Sequence, residues 1–253
     1  MADVEPDTGG RFLLRPRWIL FHLGCAGLVA LMLNLSLWQF HRLDERRTFN
    51  ESVIARGDVE PVDVLELDRG ADTDVDELEW RRAGARGTYV ADEQIVLLNR
   101  SQGGVAGYDV VTPLLLDSGS VVLVNRGFLP LAAEAPDPPT GPVDVLGTVR
   151  DFEAPRTGQA GDPPGERTEF FRLDYGRMDD QIDQPLVRFV IDLLVSDPAD
   201  DPALEPVAAP SLGEGPHLSY AIQWIIFSIA VLVGWILAVR RSVLTRARVR
   251  PSA

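Results

Sequence analysis

Apolar residues crowd the two ends of the chain, and between them short apolar runs alternate with polar turns. Residues 19–37 (ILFHLGCAGLVALMLNLSL) and 218–239 (LSYAIQWIIFSIAVLVGWILAV) contain no Asp, Glu or Arg. Each run is long enough to cross a hydrocarbon core of about 30 Å at about 1.5 Å per residue. Lipid offers no hydrogen-bond partners, so a spanning segment must close its own backbone bonds, and each run is predicted to be a helix. The first run exceeds the apolar core of about 7 to 15 residues typical of a signal peptide, so it reads as a retained anchor. Gly24-Cys25 only faintly suggests a lipoprotein site, because apolar residues continue past it to Leu37.

Between the helices the period changes. Residues 42–56 read as a polar continuation of the first helix or a short helix after it. Residues 57–78 are acidic, with an apolar-polar stretch only at 62–67. β-Branched runs follow at 81–90, 95–99, 109–116, 120–126, 143–150 and 186–195. Gly84 and Gly87 predict a bulge in the first of these, Ser101 to Gly104 reads as a loop, and Asp117-Ser118-Gly119 reads as a hairpin turn. A helix is expected over 175–184, and loops over the Pro-, Gly- and acid-rich stretches 153–169 and 196–216. The expected fold class is a membrane protein in which two transmembrane α-helices flank an extracytoplasmic, mostly antiparallel β (α+β) domain. Its expected boundaries are a tail at 1–17, the first span at 18–41, the β-rich domain at 42–216, the second span at 217–239 and a basic tail at 240–253.

Charge orients this plan. Arg11, Arg15 and Arg17 precede the first helix. Arg240, Arg241, Arg246, Arg248 and Arg250 follow the second, with no acidic residue after Glu214. Cytoplasmic flanks are enriched in Arg and Lys, so both termini are expected in the cytoplasm, despite Arg42, Arg46 and Arg47 on the outer side. The net charge is −14, and 35 of the 38 acidic residues lie between positions 42 and 217. Such a surface repels phosphates, which argues against a nucleic-acid partner. All 24 basic residues are Arg, a usage that suggests a GC-rich bacterial genome and hence the bacterial cell membrane.

The inventory also limits the chemistry. Cys25, the single cysteine, falls in the first helix, so no internal disulfide, CxxC pair or cysteine-based metal site can form. The histidines are His22, His41 and His217, none within the β-rich domain, which excludes a His-containing triad there. No nucleophile-base constellation points to a hydrolase, although paired carboxylates remain open because the domain is so acidic. The expectation is a protein that is not an enzyme.

Five ordered segments resemble the Surf1 family of cytochrome c oxidase assembly proteins. Trp38-Gln39 followed by Arg42 is similar to the family's W-Q-x-x-R. Trp80-Arg81-Arg82 with Gly87 is similar to its aromatic-R-R…G strand. Gly107-Tyr108-Asp109-Val110-Val111-Thr112-Pro113-Leu114 resembles G-Y-x-V-x-T-P-L, and Val124-Asn125-Arg126-Gly127-Phe128-Leu129-Pro130 resembles V-N-R-G-W-V-P. His217-Leu218-Ser219-Tyr220-Ala221-Ile222-Gln223-Trp224 resembles H-x-x-Y-A-x-Q-W. Ser36 stands where the family often has Gly, and Phe128 where it usually has Trp. The resemblance implies a role in maturing aa3-type haem-copper oxidase, by inserting haem a into subunit I or stabilising that subunit. Subunit I, haem a synthase and membrane lipid are the expected partners.

Haem iron takes a neutral imidazole as axial ligand. His217 follows Pro216 at the start of the second helix, and His217, Tyr220 and Trp224 share a face by their spacing. They form either a porphyrin wall with His217 as the iron ligand or an interfacial aromatic belt. His41 should lie at the same membrane surface, either as a second axial ligand or as a solvated interfacial residue. Gly27, Ala30, Asn34, Trp38 and His41 share a face that is expected to meet the second helix. Arg42 and Arg46 could hold propionates or be ordinary interfacial charge. Arg81, Arg82 and Arg126 are partner contacts or buried ion pairs. Gly127 and Pro130 should shape a turn, and Ala230, Gly234 and Ala238 a helix-packing stripe. Two other readings stay open. One is a scaffold that binds the oxidase through its β-rich domain without touching haem. The other is a doubly anchored sensor, disfavoured by the short tails.

Overall fold

The computed structural model of the chain describes residues 11–153 and 165–248. Expectations for residues 1–10, for most of 153–169 and for Arg250 lie outside them. The chain divides into two units, Met1–Asn50 with Leu212–Ala253, and Glu51–Ser211.

In the first unit, helix α1 (Pro16–Gly57) opens on a proline, whose fixed φ suits the first turn and whose missing N–H costs nothing there. The polar residues 42–56 continue the same helix, which reaches about 63 Å at about 1.5 Å per residue. Helix α5 (His217–Arg248) carries the second apolar run. Leu20, Leu31, Leu37, Ile226, Ile229 and Ile236 are each more than half exposed. An apolar surface of that extent is untenable in water and suits lipid.

Shielded positions on α1 include 22, 25, 29, 32, 36, 39, 43, 46 and 50. On α5 they include 217, 221, 224, 228, 231, 235, 238 and 242. Steps of three and four alternate, a mean period of about 3.5, so two antiparallel helices pack along one seam. Polar bonds cross the seam. The Ser36 hydroxyl donates to the Ala221 carbonyl at 3.0 Å, and Trp235 Nε1 donates to His22 Nδ1 at 2.7 Å.

This corrects the face expected from small residues. Gly27, Ala30, Asn34, Trp38 and His41 are all exposed and point about 130 to 180° away from the nearest seam positions, at about 100° per residue, with Trp38 at the lower end of that range. Ala230 and Gly234 are exposed as well. A Cβ added at Gly27 or Gly234 would meet nothing within 4 Å. The helices are held by matched polar side chains at heptad spacing, so close approach at glycine is not needed.

The second unit is a sheet of eight strands: β1 (Val62–Asp63), β2 (Arg82–Tyr89), β3 (Ile95–Gln102), β4 (Val105–Leu116), β5 (Val121–Pro130), β6 (Pro142–Arg150), β7 (Glu169–Phe170) and β8 (Leu186–Asp197). Their order is β1-β2-β6-β8-β5-β4-β3-β7, and an added β2–β4 pairing closes five of them into a barrel. Among the long strands only β5–β8 is parallel. Gly103 and Gly104 both have positive φ, which makes the expected loop a tight two-residue hairpin turn between β3 and β4.

Gly87 lies where β2 passes between β6 and β4. The β2–β6 register is unbroken, so no bulge forms. The glycine is instead required by proximity, since a Cβ there would lie 2.3 Å from the Leu115 carbonyl oxygen. The run Val121 to Val124 is buried on both faces. Val122 and Val124 fill the barrel with Phe189 and Ile191. Val121 and Leu123 pack outside it with Met178 and Ile182 around helix α4 (Tyr175–Gln181).

The acidic stretch 57–78 forms helices α2 (Val64–Leu67) and α3 (Val75–Leu78). Asp63 accepts from Leu65 N and Asp74 from Glu77 N at their N-termini. Asp68 accepts from Gly70 N and from the Thr73 hydroxyl. Its carboxylates therefore serve as caps, which short helices need most.

Candidate functional site

The site is assembled in the first unit, where the chain enters α5. Asn50 Nδ2 donates to the Leu212 carbonyl at 2.6 Å, and Arg46 Nε to the Gly213 carbonyl at 3.0 Å. Arg47 grips Glu214 with two bonds of 2.7 and 3.1 Å, which hold that carboxyl below its usual range. These contacts lay residues 212–214 along α1. Gly215 then turns with φ +68, and α5 begins at His217. A Cβ at Gly215 would sit 3.4 Å from His217 Cδ2 and 3.5 Å from its Nε2, so glycine keeps that edge of the ring clear.

His217 Nδ1 lies 2.9 Å from Gln39 Oε1. A neutral ring that donates Nδ1–H to this amide oxygen keeps its lone pair on Nε2. Nε2 has no hydrogen-bond partner among the described residues. An imidazole anchored through one nitrogen and open at the other is the arrangement that metal-ligating histidines use. The donor set therefore fits an axial ligand for haem.

Of the residues expected beside His217, Trp224 is half-buried on the seam, while Tyr220 and Trp38 are 47% and 48% exposed. By helical angle and the antiparallel register, Trp38, Arg42 and Tyr220 lie on one flank of the seam, level with the His217 turn. Arg42 stacks its guanidinium 5.6 Å from the Trp38 ring centroid and pairs with Glu45 at 2.7 Å. His41 is not brought to the site. It is exposed and points about 180° from the seam, because two residues beyond Gln39 is a turn of about 200°. Gln39, adjacent to Trp38 in the W-Q-x-x-R segment, is the site residue that the motif alone does not single out. The 3.5-residue spacing of positions 32, 36 and 39 is the signal that would have found it.

In the second unit the family-like arginines separate. Arg126 is the extra residue of a β-bulge, since Val110 pairs with Gly127 and Val111 with Asn125. The strand runs on to Pro130, so Gly127 makes no turn. Its φ of +142 instead lets the Glu205 carbonyl approach to where a Cβ would lie only 2.6 Å away. Arg126 is 2% exposed and makes a bidentate pair with Asp200 at 2.8 and 2.5 Å. It also donates to Gln94 Oε1, the Pro136 carbonyl and the Asp137 carbonyl. It is a buried ion pair that ties the loop after β8 to the barrel.

The paired carboxylates are Asp109 and Asp192, and the Asn125 side chain favours the charged form of both. Arg100 lies 3.4 Å from Asp109, and Arg150 lies 3.5 Å from Asp192 with its guanidinium 3.7 Å from the Trp80 ring centroid. Burial raises both carboxyls, Asp192 to about 6, against the opposing pull of the arginines. Each is committed to a cross-strand brace.

The matching motifs sit on the seam, the barrel closure and the Arg126 clamp, and the SURF1 family profile covers residues 26–229. The chain belongs to the SURF1 family. An uncharacterised SURF1-like protein of Mycobacterium bovis is 28% identical over 229 residues, covering 88% of this chain and 83% of the relative. A SURF1-like protein of Monosiga brevicollis is 27% identical, covering 82% and 83%. The surfeit locus protein 1 of Arabidopsis thaliana is 34% identical over 111 residues, covering 40% of this chain and 31% of its own.

Proposed function

We propose that this SURF1-family membrane protein assists assembly of an aa3-type haem-copper cytochrome c oxidase by holding haem a transiently and delivering it to subunit I. The family's link to cytochrome c oxidase assembly supports the general role. The observation that carries the finer reading is the Gln39–His217 pair, which orients one imidazole and leaves its Nε2 open. On this reading haem is cargo. His217 supplies one axial nitrogen, Trp38 and Tyr220 offer apolar surface on the adjoining flank, and Arg42 a guanidinium for a propionate. The arginine-rich chain ends support a topology with both termini in the cytoplasm of a bacterial cell and the β-rich domain outside. The chain then acts by binding and release, with no turnover of its own, and haem a synthase is the expected donor.

The test is the absorption spectrum of the full-length protein purified after co-expression with haem a synthesis. Wild type is expected to show bound haem a and His217→Ala to show none. Gln39→Ala should bind about 10- to 100-fold more weakly, the usual loss when the group behind a metal-bound histidine is removed. Haem absent from wild type, with oxidase subunits still co-purifying, would replace carriage by the scaffold reading. That reading is favoured by a second feature of the β-rich unit. Exposed Leu194 and Val195 adjoin a cleft of about 180 Å³ that includes Trp80, Arg82 and Asp192 in its lining.

A further inference from the structure

At the opposite end of the helix pair, where both chain ends emerge, the seam opens into a recess of about 640 Å³. Arg17, Trp18 and Phe21 of α1 and Ala238, Arg241 and Arg246 of α5 are among its lining residues. Its floor is a packed aromatic cluster. Trp18 meets Phe12, Phe21 and His22 at centroid distances of 5.7, 5.6 and 5.7 Å, and His22 is fixed in turn by the Trp235 indole. Its rim is cationic. Arg246 stacks 4.0 Å from the Phe12 ring centroid, and no acidic residue occurs between positions 11 and 43 or from 215 to 248. Among the described residues no carboxylate neutralises Arg17, Arg241 or Arg246.

We propose that this recess binds the headgroup of an anionic phospholipid. The guanidiniums of Arg17 and Arg241 take the phosphate in their planar forks, one from each helix. The acyl chains run down over Trp18, Phe21 and Ala238 onto the lipid-exposed leucines of the helix pair. Basic recesses between transmembrane helices are suited to such headgroups. A zwitterionic lipid brings an ammonium that the three guanidiniums repel. A free phosphate makes no use of the aromatic floor.

Native mass spectrometry of the full-length protein, delipidated in detergent and given equal phosphatidylglycerol and phosphatidylcholine, tests this. Wild type should retain phosphatidylglycerol at least about tenfold over phosphatidylcholine. Each guanidinium near an anionic headgroup is worth about fivefold, so the pair Arg17→Gln/Arg241→Gln should lose about 25-fold. Each single variant should lose about fivefold, which covers the case in which the double variant does not fold. Arg240→Gln removes the same charge from an exposed position that does not line the recess, and should change retention by less than about twofold. Equal retention of the two lipids, or an Arg240→Gln loss as large as that of Arg241→Gln, overturns the proposal. Displacement of the lipid by millimolar inorganic phosphate also overturns it, and would make this a site for a small anion.

Discussion

Arg126→Met should be the most damaging single substitution in the β-rich unit. The change keeps much of the aliphatic volume and removes five donated hydrogen bonds. Gln94 Oε1 retains the Thr112 hydroxyl as a donor at 3.0 Å, but the carbonyls of Pro136 and Asp137 lose their partner, and Asp200 is left with only the Asp201 N–H at 2.7 Å. Asp200 is 10% exposed at its side chain, so its charge is stranded out of water. Breaking a buried ion pair by removing one member costs about 3 to 5 kcal/mol. Against a typical domain stability of about 5 to 15 kcal/mol this is a large share. At about 2 to 4 °C per kcal/mol for a domain of this size, the melting temperature should fall by about 6 to 20 °C.

The assay is thermal melting of the full-length protein in detergent, with hydrogen exchange at β5 to locate the loss. Asp200→Leu combined with Arg126→Met should recover part of the stability, because an apolar pair strands no charge. Arg126→Lys should fail to rescue, since an ammonium cannot span the carboxylate and three carbonyl acceptors as the fork does. A melting temperature within about 2 °C of wild type, well below the shift expected from the lost pair, would refute the clamp. So would strictly additive losses for the two positions, since residues in one ion-pair network must couple.

Three further substitutions test other joints of the structure. Gly87→Ala places a Cβ 2.3 Å from the Leu115 carbonyl and should cost at least about 1 to 3 kcal/mol by overpacking, read as faster hydrogen exchange at the β2–β4 pairing. Ser36→Ala leaves the Ala221 carbonyl its helical bond and removes only the seam bond, for a loss of about 0.5 to 1.5 kcal/mol in helix-pair stability, measured by steric trapping or detergent denaturation. Asp192 has a folded pKa raised to about 6 by burial, above its unfolded value of about 3.9, so the folded state binds the extra proton between those values. Its contribution is greatest below about pH 4 and is lost as pH rises through about 6. Melting curves of wild type and Asp192→Asn should therefore converge or cross toward pH 7, with wild type relatively more stable at pH 5. A pH-independent difference would show that Asp192 stays ionised throughout.

The sequence pattern made the class of fold legible because two signals were strong. Mostly apolar runs of 19 and 22 residues without Asp, Glu or Arg leave few alternatives, and β-branched runs separated by glycine turns place strands well. Barrel closure was not legible, because it depends on Gly87 passing within van der Waals reach of Leu115, a contact between residues 28 apart with no local signature. The role of Arg126 was hidden for a similar reason: its hydrogen-bond partners come from three separate stretches of chain, at Gln94, at Pro136 and Asp137, and at Asp200. The helix face was misread by following small residues at 3.6 spacing. In this pair the polar residues at 3.5 spacing, His22, Ser36 and Gln39, mark the contact, because each finds a partner on the other helix. His217 was visible in its motif, but its orientation was not, since Gln39 lies 178 positions away.

On the proposed reading of haem carriage, the separation of His41 from His217 bears directly on release. Had both imidazoles faced one space, they could supply both axial positions of a haem, an arrangement suited to retention. Here His41 lies on the far side of α1, while Gln39 fixes a single imidazole on the seam beside an exposed flank. On the proposed reading one axial position is then left to the acceptor's own ligand, so handover needs the exchange of one nitrogen. The contacts that set this geometry lie outside the cargo surface: Arg46 and Arg47 on residues 213 and 214, Asn50 on residue 212, and Gly215 at the turn. Weakening that strap should loosen His217 without touching the aromatic flank. Arg47→Ala is therefore expected to speed haem loss to apomyoglobin while Tyr220→Ala mainly lowers occupancy. If Arg47→Ala left the release rate unchanged, His217 would be positioned by Gln39 alone.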